Sequence, residues 1–335
     1  KPELFSGIEV SGTTQSNDGM LINTFYTTYS TFPNDFPDFD SLKKATKSVC
    51  ETLTNTQNAK PLEESYSGPI LFEGQAAAEL FAQLFAPNLV AQRSLLSEQG
   101  LQNFSKYTAF QTKIGGRVLP EFLSVRSIPL EKERKHITLV GHYKIDDEGI
   151  PAQNITLVDK GYLKTLLTNR TPVKRVLTSN GNSRNGYPMF SNIEVISEKK
   201  YSKSYKELRG KLIQLCKQRD LPYAIVIRKI MNQNILATVF FNIANMDFKF
   251  SGDQPTLQVV EAYKVYPDGR EELVRGGELK GFTTQSFKDI ILVGTEPYVL
   301  NILAPSISSR FGGGTYLQSS IVSPDLLFED GEFKP

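Results

Sequence analysis

The run SGPILFEGQAAAELFAQLFAPNLVAQR, from Ser67 to Arg93, constrains this chain most. It begins as a short apolar strand and passes directly into a helical pattern with Ala76, Ala77, Leu80, Phe81, Leu84 and Phe85 at helical spacing, ending at Pro87. That spacing sends one face of the helix into a core, and the proline stops it because the ring removes a donor and clashes with the preceding turn. The rest of the chain has to supply the walls of that core.

With 335 residues the chain exceeds what one compact core usually holds, so two domains, or one large β-rich domain with an appendage, are expected. Tyr and Phe are abundant, at 14 and 21 residues, and Gly and Pro are well represented, which favours strands and turns over a helical bundle. Basic and acidic residues nearly balance, 38 against 36, so no strong field draws the chain to nucleic acid or a membrane surface. No apolar run reaches the length of a membrane span. Cys50 and Cys216 match no metal or redox spacing; a reduced structural role is expected, and geometry decides whether they pair. The sequence begins at Lys1 without a methionine or an apolar leader, so it reads as a processed or trimmed product, and the compartment assigned is the cytoplasm.

Along the chain, Ser11–Gly19 reads as a turn-rich start, Met20–Phe32 as strand, and about Asp40–Thr54 as a helix capped by Asp38 or Asp40. After the central helix, short strands are expected at Arg117–Val125, Ile137–Ile145, Gln153–Val158 and Tyr162–Leu167, with turns at 147–149 and 160–161. One more helix, about Ser204–Arg219, carries Leu208, Leu212, Ile213 and Cys216 on one face. Strands return at Tyr223–Ile230, Ile235–Asn242, Leu257–Val265, Ile290–Val293 and Tyr298–Ile302.

Several of these stretches together resemble the TldD/PmbA family, which carries the label "modulator of DNA gyrase" and is understood as paired peptidase subunits. The resemblance rests on the strand-into-helix phrase and on GHYKIDDEGIPAQNITLVDKGYLKTLLTNR at 141–170. It extends through SNGNSRNGYPMFSNI at 179–193 and YPDGREELVRGGELKGF from Tyr266 to Phe282. It implies an α+β fold: residues 1–62 as the end of an N-terminal α/β domain, and 63–335 as a large, mainly antiparallel β domain, barrel or sandwich in kind, with a few helices.

In metal-bearing members an H-E-x-x-x-H motif opens the central helix. Here the matching positions read Phe72, Glu73, Gly74, Gln75, Ala76 and Ala77, so the glutamate is kept and both histidines are replaced. Zinc needs three or four converging N, S or O donors, and Phe72 and Ala77 offer none. A C-terminal cysteine completes the site in those members, whereas the matching region, Arg310–Gly314, reads RFGGG. Glu73 is therefore read as a first-turn acid favoured by the helix dipole, because a general base needs a metal-activated water. His136 and His142, six residues apart on one expected strand, would stand roughly 20 Å apart and share no ion. No G-x-S-x-G elbow supports a serine hydrolase. FGGGT at 311–315, the basic run Lys199–Lys211 and the acidic turn Asp146–Glu148 are read as a flexible turn, a solvated helix face and a hairpin turn.

The resemblance thus implies a metal-free, PmbA/TldE-like chain with no cofactor: a non-catalytic subunit of a peptide-processing complex. It would form a homodimer, or a heterodimer with a metal-bearing TldD-like subunit, and hold unfolded peptide. Asn180, Gly181, Asn182, Arg184 and Asn192 are the candidates for peptide contacts, against the alternative of a turn satisfied by its own side chains. A homo-oligomeric peptide- or protein-binding scaffold with no proteolytic role is the second reading. An enzyme with an unrecognised site is the third.

Overall fold

The computed structural model describes residues 4–91, 109–173, 175–232, 257–305 and 316–335. The expected strand Ile235–Asn242, the Gly-rich stretch 310–315 and the last two residues of the opening run lie outside these. The chain opens with a hairpin, Ser6–Gln15 against Leu21–Ser30, on which helix α1 (Phe39–Asn58) packs. The Asp38 side chain accepts from Ser41 N–H at 2.7 Å, so Asp38 is the cap. The first strand runs through to Gln15, a correction to the turn-rich reading of Ser11–Gly19. Ladder pairing with Leu21–Phe25 overrides the local Gly and Ser turn signals, and only Ser16–Met20 turns.

Two sheets follow. Five strands of the larger one close on themselves: Leu326–Lys334, Tyr66–Phe72, Ala224–Ile230, Leu257–Val265 and Glu278–Leu279 pair in a ring, making a small barrel. Most pairings are antiparallel, with parallel exceptions such as Ala224–Ile230 on Tyr66–Phe72. The second sheet has six strands, ordered Tyr298–Pro305, Tyr316–Ser323, Asn192–Ser197, Leu123–Ser127, Ile155–Asp159, Tyr162–Leu163. The fold is α+β with a dominant β-rich part, as the sequence implies.

Tyr66–Phe72 is buried on both faces because both are covered. Leu71 points to helix α3 (Tyr205–Gln218), whose Leu208, Leu212, Leu215 and Cys216 pack on Ala224, Val226, Val265 and Leu327. Ile70 and Phe72 point the other way, into the large core. Ser204 and Glu207 form a reciprocal capping box that starts α3 within a residue of the expected position. Both cysteines are free, Cys50 exposed and Cys216 buried.

The central helix is not one regular helix. It is α-helical over Gln75–Leu80 (α2), widens to a π-turn at Phe81–Phe85, and tightens to a 3-10 turn at Ala86–Leu89. Pro87 has no N–H to give to the carbonyl four residues back, and the α register gives way before it. The segment touches strands of both sheets, Ala224–Ile230 on one side and Tyr298–Pro305 and Tyr316–Ser323 on the other. Phe81 and Phe85 meet Phe287 at centroid distances of 5.1 and 5.0 Å.

Ile137–Ile145 is not a strand. Ile137–Thr138 pairs in a hairpin with Glu133–Arg134, whose positive-φ corner is Lys135 and His136 at 51° and 64°, and Ile145 makes a single bridge to Pro151. His142 lies beyond a turn, its N–H bonded to the Leu139 carbonyl at 3.3 Å. His136 and His142 therefore do not share a strand, as the spacing between them had implied. The neighbouring expectation of a strand at Arg117–Val125 shortens to Leu123–Ser127, since Val118 and Leu119 instead donate to the Gly161 carbonyl.

Candidate functional site

The site begins where the strand Tyr66–Phe72 ends. Phe72 is fully buried, and its ring sits edge-on to Phe282 at 5.6 Å and Phe328 at 5.2 Å. One residue on, Glu73 turns the other way. Its backbone N–H is fixed by the Ile227 carbonyl at 2.9 Å, and its Oε2 accepts from Arg228 Nε at 2.9 Å. Arg228 is held on every side: Nη2 donates to Glu271 at 3.0 Å, and the guanidinium lies 4.3 Å from the Tyr263 ring centroid. Glu271 also pairs with Arg209 of α3. Ala77 is fully buried in the large core.

Electrostatics follow from this arrangement. Burial pushes the Glu73 carboxyl above its ordinary range, and the hydrogen bond and charge of Arg228 oppose the rise. Glu73 Oε1 is buried with no partner among the described residues, which adds to the cost of its charge. Nearby Asp325 accepts from Gly74 N–H at 2.7 Å, and burial pushes its carboxyl up as well. Burial also works against the charge on Arg228, but the bonds to Glu73 and Glu271 outweigh it, and its pKa is raised.

These residues do not fit a zinc ion. Phe72 and Ala77, which the resemblance sets against the motif's imidazoles, hold an enclosed aromatic ring and a methyl group, and the Glu73 carboxylate is already bound to a cation. Among the described residues no three His, Cys, Asp or Glu side chains gather into a metal-holding group. Replacing Arg228 with alanine is expected to cost about 2 kcal/mol, below the 3–5 kcal/mol of a fully buried pair because its side chain is 29% exposed. The removal strands Glu73 and drives its carboxyl further up, so the deficit shrinks as pH falls and Glu73 takes a proton. Urea unfolding of the variant and wild type at pH 5 and pH 8 reads this directly, and an equal deficit at both would rule it out.

A second polar group lies along the same helical segment and was missed in the sequence. Gln75, Glu79 and Gln83, spaced four apart, face the end of the strand Ala224–Ile230. The Gln75 amide accepts from Ile230 N–H and donates to its carbonyl, each at 3.0 Å, standing in for a strand neighbour where Tyr66–Phe72 has ended. Gln83 donates to the Met231 carbonyl and to Glu79 Oε1, both at 2.8 Å. Glu79 is buried among amides, also bonded to Asn232, and burial pushes its carboxyl to about 8. A polar stripe every fourth residue on an otherwise apolar helix was the available signal. For Arg228 it was a lone Arg-Lys pair inside AIVIRKI.

The predicted peptide contacts cluster elsewhere, beside the six-stranded sheet. Asn180 accepts from Thr168 N–H at 2.7 Å and donates to the Leu166 carbonyl at 2.8 Å. Gly181, at φ 74°, runs so close to the Pro151 carbonyl that a Cβ would come within 2.3 Å. Asn182 donates to Asn180 and accepts from Tyr143 O–H. Arg184 is buried, giving Nη1 to the Phe190 carbonyl and Nη2 to that of Gln318. Asn192 donates to the Glu131 carbonyl at 3.1 Å, and its Oδ1 is buried with no partner among the described residues. Asn180, Gly181, Asn182 and Arg184 sit in one internally bonded corner, while Asn192 lies on the adjoining strand opposite Ser320 with its amide on Glu131.

Comparison with known proteins agrees with this architecture. A protein from Thermotoga maritima labelled a modulator of a DNA gyrase superposes with a TM-score of 0.65 at 17% identity, over 98% of this chain and 62% of its own. TldE from Thermococcus kodakarensis gives 0.63 at 13% identity, over 99% and 63%. A Bacteroides thetaiotaomicron protein, also labelled a modulator of DNA gyrase, gives 0.61 at 14%, over 98% and 60%. The chain thus spans about three fifths of the length of these structures. No curated protein matches it. Among the described residues no helix is long and apolar enough to cross a membrane. The sequence profile of the PmbA/TldA metallopeptidase C-terminal domain matches residues 65–334, most of the chain, and the protein is therefore a member of the TldD/PmbA family.

Proposed function

We propose that this chain is a non-catalytic subunit of a peptide-processing complex, related to zinc metallopeptidases and paired with a metal-bearing member of its family. One observation carries the reading: at the positions that resemble the metal motif, Phe72 is packed between two aromatic rings and Glu73 is bound to Arg228. The hydrogen bond and charge of Arg228 make Glu73 a weaker base than burial alone would, and neither Phe72 nor Ala77 offers an atom to hold the metal that would activate a water for it. The chain would then shape half of a groove in which an extended peptide is held by main-chain pairing, a task that requires no catalytic residue.

Co-expression with a metal-bearing relative, followed by native mass measurement and metal analysis, tests this. The expected result is a complex containing both chains, zinc in proportion to the partner only, and peptide cleavage that requires the mixture and is abolished by a chelator. Stoichiometric zinc in this chain alone, or chelator-sensitive cleavage by it alone, would overturn the proposal. Self-association with no uptake of the relative would favour the homo-oligomeric scaffold instead.

A further inference from the structure

The N-terminal hairpin and α1 meet the barrel across a cavity of about 240 Å³, larger than the roughly 150 Å³ that holds a benzene molecule. Ligand sites gather at such junctions between units of a fold. Met20, Ile22 and Thr56 line it on one side, and Met231, Gln258 and Val260 on the other. The strand Leu257–Val265 is paired along both edges, Val259 and Glu261 with Ile230 and Lys229, and Gln258 and Ala262 with Glu278 and Val274. Its main chain is therefore occupied, and side chains decide what the cavity takes. Gly276, at φ 79°, forms part of the wall; a Cβ there would come within 2.6 Å of Met20 Cε, so a side chain at this position would displace the thioether.

The walls are mostly apolar, and the two thioethers, Met20 and Met231, are flexible enough to adapt to an enclosed shape. The charged side chains around the cavity are already matched. Arg275 gives its two Nη atoms to Asp18 at 3.1 and 2.8 Å, and Glu278 pairs with Lys280 at 3.5 Å. The cavity thus offers no free charge to an ionic ligand. Asn23 Oδ1 is also engaged, accepting from Thr13 O–H at 2.7 Å. Two polar side chains are left. Thr56 is 3% exposed and its Oγ1 has no partner among the described residues, and the partly buried Gln258 amide makes no hydrogen bond to any of them. An amide both donates and accepts, so the group that completes it does the same.

We infer that this cavity binds a small neutral molecule with an apolar body and one amide group, the body lying between Met20 and Met231 and the amide pairing with the side chain of Gln258. The site is apart from Phe72 and Glu73 and does not depend on a metal-bearing partner. Benzamide is the probe and benzoate its charged control, each titrated into the full chain carrying methyl-labelled methionine and followed by NMR. The Met20 and Met231 methyl signals are expected to shift saturably with benzamide, while that of Met189, which does not line the cavity, stays in place. Benzoate is expected to bind roughly tenfold or more weakly, because its carboxylate loses water and meets no free cation. Gln258→Leu keeps the bulk and removes the amide, and is expected to weaken benzamide binding about fivefold. Gln258→Trp, which fills the cavity from a partly exposed position, is expected to abolish the shifts. Shifts that grow without saturating, equal binding of benzoate, or full affinity for benzamide in either folded variant would each overturn the proposal. The comparison of benzamide with benzoate needs only the wild-type chain and decides the matter even where a variant fails to fold.

Discussion

Replacing Phe72 with alanine lowers the stability of the fold by about 4 kcal/mol, within the range for deleting a fully buried phenylalanine. The ring touches Phe282 and Phe328 edge-on and closes the end of the barrel beside α2, so its loss leaves a cavity that two rigid neighbours cannot fill. Phe72→His is expected to be no milder, because the imidazole would be buried against aromatic carbon with no partner for its nitrogens. The same substitution combined with Ala77→His restores the residue types of a metal motif and is expected to recover no zinc. Urea unfolding gives the stability and elemental analysis the metal. A loss below about 1 kcal/mol for the alanine variant, or stoichiometric zinc in the double variant, would show that Phe72 is not the packing residue described here.

Stability is expected to fall steeply between weakly acidic and alkaline pH because of Glu79. Its carboxyl is pushed by burial to about 8 in the folded chain, while in the unfolded chain it returns to 4.5. Below the unfolded value both states carry the proton and Glu79 contributes no pH dependence. Between the two values the folded state binds a proton that the unfolded state has released, so stability declines as pH rises. Above about 8 both states are ionised and the decline ends. The full loss is on the order of 5 kcal/mol, at about 1.4 kcal/mol per pKa unit. Glu79→Gln has no proton to lose, so its unfolding free energy is expected to be flatter across this window, with the largest gain over wild type at pH 9. Urea titrations from pH 5 to pH 9 on both proteins measure it, and parallel curves would remove Glu79 as the cause.

Much of the scaffold was legible. The start of helix α1 at Asp38, one of its two expected caps, the start of α3 after Ser204, and the strand Leu257–Val265 all stand where local pattern puts them, because helix starts and alternation are short-range signals. The strand expected at Ile137–Ile145 was not found, because its apolar residues serve separate contacts: Leu139 packs with Ile128, Val299 and Val322. The π-turn in the central helix was equally hidden, since spacing along the chain specifies which face is apolar and not how wide each turn is.

The site divides in the same way. The sequence by itself determined that Phe72 and Ala77 carry no metal-binding atom, because donor chemistry is a property of the residue type. It also determined the apolar face of the central helix, because that face is periodic. Only the tertiary structure decided what Glu73 does, since its partner Arg228 lies 155 residues away on a neighbouring strand. The same holds for Glu79, whose carboxyl is raised by the walls around it. Burial, charge pairing and cavities are relations between segments distant in sequence, and they come into being when the barrel closes.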